Sequence, residues 1–215
     1  MSRAPSLCGV ILAAGESTRM GSDKALLAWP PSSAPGPVPR TTFLSAAIRA
    51  LNGYNDMVIV VVGKNEANLA PVIYGEAASL VRNPSPEQGQ FSSLQVGLRE
   101  VLNRGRDSAM VTLVDRPPVR AETFASLCSR FASAADGVWA VVPAYAGQHG
   151  HPIILGREMI EIFLRAPATA SARDLEHQYQ EHMEYVSIED PFIAGNVDTP
   201  QDYETLRSQN STQPN

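Results

Sequence analysis

Leu12-Ala-Ala-Gly-Glu-Ser-Thr-Arg-Met-Gly-Ser-Asp-Lys24 decides the reading of this chain. It follows a short apolar run, residues 9–12, that reads as a buried strand. The strand breaks into a loop holding Gly15 and Gly21, with Ser17, Thr18, Arg19 and Lys24 as polar donors. Small residues let backbone N–H groups approach an anion closely. Hydroxyls, a guanidinium and an ammonium can then divide several phosphate oxygens among themselves. Lys24 stands three residues after Gly21, so this is not the Walker A spacing, and it is not Gly-x-Gly-x-x-Gly either. A plain Gly-rich turn is the alternative, but a turn has no need of Arg and Lys at these offsets.

Outward from this loop, apolar strand-like runs alternate with helical patterns. Strands are expected near residues 7–12, 57–62, 79–82, 109–114, 138–143, 151–155 and 184–188. Helices are expected near 43–51, 65–72, 90–103, 121–131, 157–164 and 171–181, with a last one after Thr199. Thr41 and Thr42 are placed to cap the first helix, whose expected face is Phe43, Ala46, Ala47 and Ala50. Residues 29–40 are too proline-rich for a helix or sheet interior and read as a surface insertion. Residues 146–150 read as a loop. The alternation implies an α/β fold with a mostly parallel sheet.

Composition narrows the class. The 215 residues, 44% hydrophobic and 18% charged, suit a single domain over 1–207 with a polar, disordered tail at 208–215. Lys and Arg number 17 against 22 Asp and Glu, a net charge of −5. No basic run exists, which argues against nucleic acid as the main partner. No apolar run approaches the ~20 residues of a membrane span. Cys8 and Cys128 form neither a disulfide framework nor a zinc spacing, so free thiols in a reducing cytoplasm are expected. Residues 1–15 superficially suggest an export signal, but cleavage there would cut into the phosphate-loop stretch.

In sheets of this kind, sites form beyond the carboxyl ends of the strands. Asp115 follows a buried run, and Asp198 sits in Asn196-Val-Asp-Thr-Pro200 after the last extended stretch. Two carboxylates from distant strands make sense around a hard cation. Ser92 and Ser93 fall in a first helical turn, where hydroxyls and free N–H groups can hold base or ribose oxygens. His149 and His151 alternate on an extended chain, but two histidines alone do not complete a metal site.

Residues 12–27 resemble the signature of the MobA-like nucleotidyltransferases, Leu-Ala-Ala-Gly-x-Ser-x-Arg-Met-Gly-x-x-Lys-x-Leu-Leu, and every fixed position is met. The resemblance implies a Rossmann-like three-layer α/β/α sandwich that moves a nucleoside monophosphate from an NTP to a phosphorylated acceptor. It implies nucleotide binding by Leu12, Ala13, Ala14, Gly15, Ser17, Arg19 and Lys24, with Asn83, Gly89, Ser92 and Ser93 in a base-recognition segment. Arg19, Lys24 and Asp115 would act in catalysis, and Asp115 and Asp198 would bind Mg²⁺. Asp115-Arg-Pro117 is similar to the family's Gly-Asp-x-Pro, with Val114 in place of the Gly and Arg116 following. A Gly-His-Pro stretch similar to the family's assigns His149 and His151 to the acceptor, and Arg173 could also reach it. Ala14 resembles the cytidylyl branch, which implies CTP, a molybdopterin-type acceptor and a molybdoenzyme receiving the product. Transfer to a sugar phosphate, or a non-catalytic cofactor-delivery role, are the alternatives at this point.

Overall fold

The computed structural model describes residues 6–15, 23–31 and 41–210. Ser17, Arg19, the first five residues and most of the proline-rich segment lie outside the described residues. The strands are β1 (Leu7–Ala13), β2 (Met57–Val62), β3 (Ser79–Arg82), β4 (Ser108–Leu113), β5 (Ala140–Tyr145), β6 (Gln148–His149), β7 (Ile153–Leu155) and β8 (Met183–Ser187). The helices are α1 (Phe43–Asn52), α2 (Glu66–Gly75), α3 (Gln90–Asn103), α4 (Ala121–Ala132), α5 (Arg157–Arg165), α6 (Ala172–Gln178) and α7 (Pro200–Asn210).

The eight strands form one sheet in the order β3-β2-β1-β4-β7-β5-β6, with β8 also paired to β5. β3, β2, β1 and β4 run parallel, and β5 and β8 are parallel to each other. β7 runs against both β4 and β5, which leaves β5 pointing the same way as β4. The chain moves outward from β1 through β2 to β3, then returns to the other side of β1 as β4. That reversal opens a crevice at the carboxyl ends of β1 and β4, the usual ligand position in such sheets.

Alternation along the strands divides the core in two. Leu7, Ile11 and Ala13 of β1 face a layer built on Leu44, Ile48, Leu69, Ile73 and Leu127 from α1, α2 and α4. Cys8, Val10 and Leu12 face Phe91, Leu94, Leu98, Met159, Ile160 and Phe163 from α3 and α5. The result is a three-layer α/β/α sandwich. Burial pushes the Cys8 thiol up to about 12, so it stays protonated.

Local signals explain the boundaries. The Thr42 hydroxyl accepts from Ser45 N (3.1 Å) and Ser45 Oγ accepts from Thr42 N (2.7 Å), a reciprocal cap for α1. The buried stripe of α1 runs through Leu44, Ala47, Ile48 and Leu51, and Ala46 and Ala50 of the expected face are only partly covered. Ala28 bridges Thr42, so the neck of the proline-rich segment is closed by an antiparallel contact. Residues 146–150 are not all loop: β5 turns back into β6 with Ala146 and Gly147 at φ 48° and 78°. Positive φ at both central residues is what a type I′ hairpin turn requires, and Ala is a poor advertisement for it. α7 continues to Asn210, so the tail expected from Ser208 begins within a helix.

Gly97 lets α3 lie close on the sheet: a Cβ there would stand 2.8 Å from Val10 and 2.9 Å from Val61. Gly97→Val should therefore destabilise by about 1–3 kcal/mol, read as a lowered urea midpoint with an unchanged slope. An unchanged midpoint would contradict this packing.

Candidate active site

Three segments meet above β1 and β4. The first is a short 3₁₀ turn, Lys24–Leu26, capped by Asp23, whose Oδ1 accepts from Ala25 N (3.1 Å). Asn65 Nδ2 donates to Asp23 Oδ2 (2.8 Å) and to the Ala13 carbonyl (2.9 Å), while its Oδ1 accepts from Gly63 N (3.1 Å). This side chain ties the turn to the ends of β1 and β2. Asn65 was not among the expected residues, and nothing in its sequence context marks it.

The second segment is Asp115, just beyond β4, where Val114 N still donates to the Leu12 carbonyl (3.1 Å). The third is residues 196–199. Val197 N donates to the Asp115 carbonyl (2.9 Å), so the backbone itself brings Asp198 beside Asp115. Thr199 Oγ1 accepts from Asp202 N, and Asp202 Oδ2 accepts from Asp198 N and Thr199 N, which caps α7 as expected of Thr199. Phe43, Val197 and Leu206, with Trp29 and Tyr203 against them, seat α7 on the body of the domain.

Lys24 Nζ lies 2.6 Å from Asp198 Oδ1 and 3.6 Å from Asp115 Oδ2. An ammonium thus stands between the two carboxylates. Asp115 Oδ1 is buried with no hydrogen-bond partner among the described residues. An orphaned anionic oxygen beside a second carboxylate fits a hard, oxygen-seeking cation. Two carboxylates supply only part of a coordination shell, and no third His, Cys, Asp or Glu joins them among the described residues.

A cavity of about 230 Å³ opens here, lined by Leu12, Ala14, Gly15, Lys24, Gly89, Ser93, Val114 and Asp115 among others. Ala13 is buried within β1. Gly89 adopts φ 98° at the entry to α3, a backbone that favours glycine. Asn83 and Ser92 are not in the cavity wall. Asn83 Nδ2 donates to both Ser92 Oγ and Ser93 Oγ (2.9 Å each), and its Oδ1 accepts from Ser85 N (2.9 Å). They form a buried brace that positions Ser93.

The cavity shares Leu12, Gly89, Gln90, Leu113 and Asp115 with a larger groove of about 1040 Å³. His149, His151 and Arg173 all line that groove, so the structure brings the three expected residues together. His149 stacks on Tyr185 at 4.2 Å. The partner of His151 Nδ1 is the Val111 carbonyl (3.3 Å); a carbonyl only accepts, so Nδ1 carries the proton and Nε2 is left as an acceptor. Burial, helped by the Arg116 charge, lowers the His151 pKa to about 4. Glu176, also in the groove, is raised by burial to about 7 against the opposing pull of Arg173.

Comparison with known proteins gives the family to which this fold and sequence belong. The sequence model of the MobA-like NTP transferase domain matches residues 9–183. The chain belongs to this family. It is 25% identical over 199 residues to the molybdenum cofactor cytidylyltransferase of Escherichia coli, covering 92% of this chain and 94% of that one. It is 31% identical over 123 residues to a probable molybdenum cofactor guanylyltransferase of Rhodopirellula baltica, covering 57% and 54%. The structure resembles that of Rv0371c from Mycobacterium tuberculosis with a TM-score of 0.78 at 25% identity, covering 96% of this chain and 99% of that one. A manganese complex of the same protein superposes with a TM-score of 0.72 at 21% identity, over 94% and 98%.

The neutral His151, partly buried in the groove wall, predicts a pH signature. Its pKa is lower folded than unfolded, so its contribution to stability is full above about 6.5 and is lost as pH falls towards 4. Replacing it with Gln should remove that part of the acid sensitivity. Thermal unfolding of wild type and His151→Gln across pH 4–7 checks this; parallel curves would contradict the assignment.

Proposed function

We propose that the chain transfers CMP from CTP to a molybdopterin-type phosphorylated acceptor and releases pyrophosphate. The observation that carries this reading is the meeting of Lys24, Asp115 and Asp198 where the smaller cavity joins the larger groove. The cavity suits the nucleotide and the groove suits a bulky acceptor. Ala14 on the cavity wall, and likeness to a cytidylyltransferase along nearly the whole chain, support CTP.

In the proposed reaction, an acceptor phosphate oxygen attacks the α-phosphorus of the NTP. A new P–O bond forms as the bond to the β-phosphate bridge oxygen breaks, and pyrophosphate carries away the electron pair. Little covalent work falls to side chains, so positioning and charge neutralisation carry the rate. Lys24 offsets charge on the departing pyrophosphate, together with Arg19, which is assigned from its place in the signature. Ser17 and the backbone of residues 12–15 hold phosphate and sugar oxygens; Gly89 and Ser93, braced by Asn83 and Ser92, face the base. Asp115 and Asp198 would hold Mg²⁺, which when bound neutralises triphosphate charge. His149, His151 and Arg173 contact the acceptor. The product then passes to a molybdoenzyme in the cytoplasm.

Pyrophosphate release tests this across CTP, GTP, ATP and UTP, with Mg²⁺, with and without molybdopterin cofactor. Release should require CTP and the cofactor together; release only with GTP would overturn the base assignment, and none with any pair would overturn the reaction. A charged hydrogen bond is worth ~1.5–3 kcal/mol, so Lys24→Ala and Asp115→Ala should stay folded and lose roughly one to two decades in rate or more. Full activity in either would overturn the site.

A further inference from the structure

Arg116 follows Asp115 in Asp115-Arg-Pro117. In the structure it lies in the wall of the acceptor groove, next in sequence to Asp115. One guanidinium nitrogen is anchored: Nη1 donates to the Ile193 carbonyl at 2.7 Å. Nε is buried and has no hydrogen-bond partner among the described residues. Burial lowers the pKa of the guanidinium from its ordinary value, while the Asp115 and Asp198 carboxylates pull the other way. An arginine still keeps its charge in such a setting. The anchoring contact goes to a neutral carbonyl.

Adjacent residues therefore carry two buried polar atoms without a hydrogen-bond partner among the described residues, Asp115 Oδ1 and Arg116 Nε, while Lys24 lies 3.6 Å from the other Asp115 oxygen. Leaving such groups desolvated and unpaired is costly, and a ligand that satisfies them recovers that free energy. The Asp115 oxygen asks for a cation, and the guanidinium asks for an oxyanion. His151 lies near enough to feel the Arg116 charge, and its accepting Nε2 suits a ligand hydroxyl or a protonated phosphate oxygen.

We propose that Arg116 holds the phosphate of the acceptor at the junction of cavity and groove, orienting its attacking oxygen beside Asp115. This rests on the nucleotidyl-transfer reading for the role of that phosphate, but the binding claim stands apart from turnover. Arg116 is a specificity determinant: it selects acceptors that end in a phosphate monoester. The planar guanidinium fork matches two phosphate oxygens, which a lysine at this position would not do as well.

The test fills the nucleotide site first. With α,β-methylene-CTP and Mg²⁺ saturating, phenyl phosphate is titrated calorimetrically into the full-length protein. Arg116→Gln should weaken phenyl phosphate binding by about ten- to a hundredfold while changing the affinity for the nucleotide analogue less than about twofold. Arg116→Lys should recover part of the loss, and it keeps the assay informative if the Gln variant does not fold. With molybdopterin cofactor as substrate, the KM for the cofactor should rise in both variants and the KM for CTP should not. Unchanged phenyl phosphate affinity in the variants would overturn the proposal. So would an equal loss for the nucleotide analogue, since Arg116 would then belong to the nucleotide site. Phenyl phosphate binding that depends on Arg116 in a protein that releases no pyrophosphate would uphold this inference and reject the transfer reading alone.

Discussion

Two carboxylates from segments far apart in sequence reach the same point only if something positive stands between them. Here Asp115 and Asp198 are brought together by the Val197–Asp115 backbone hydrogen bond, and the Lys24 ammonium lies between their oxygens. The surrounding architecture supports this convergence. The reversal of strand order opens the crevice, Asn65 ties the Lys24 turn to β1 and β2, and the aromatic cluster around Phe43 seats α7 behind Asp198. Close like charges are unfavourable in a partly buried setting, so the arrangement is suited to a cationic occupant.

The same crevice divides space by chemistry. On one side, glycine, alanine and a serine hydroxyl leave room for a nucleotide close to the backbone. On the other, histidines, arginines and a raised-pKa glutamic acid line a wider groove suited to a larger polar acceptor. Asp115 belongs to both walls. A reaction that joins two phosphorylated molecules needs such a shared point, because the attacking and departing groups must lie on opposite sides of one phosphorus.

Much of this was legible in the sequence, for identifiable reasons. β-branched runs such as 57–62 can only be buried strands, and Thr42 and Thr199 advertise helix starts by their hydroxyls. Asp115 and Asp198 were legible from their places after extended stretches and were expected around one cation, but the Val197–Asp115 backbone bond that brings them together was not, because it joins distant segments. The β5–β6 hairpin was hidden by an alanine at a positive φ, and the reversed direction of β7 has no local signal at all. Asn83 and Ser92 carried the right residue types for nucleotide contact, yet their hydrogen bonds are directed to one another and to the chain. Arg116 ran the other way: a residue that fitted no pattern sits in the groove with an unmatched donor.

Attack at the α-phosphorus fixes where each phosphorus atom of CTP must end, so isotope position reports on it. Incubating the protein with Mg²⁺, molybdopterin cofactor and CTP labelled with ³²P at either the α or the γ position should move the α label into the acceptor product and the γ label into pyrophosphate. Transfer of the γ label to the acceptor, or retention of both labels in unreacted CTP under saturating conditions, would contradict the account.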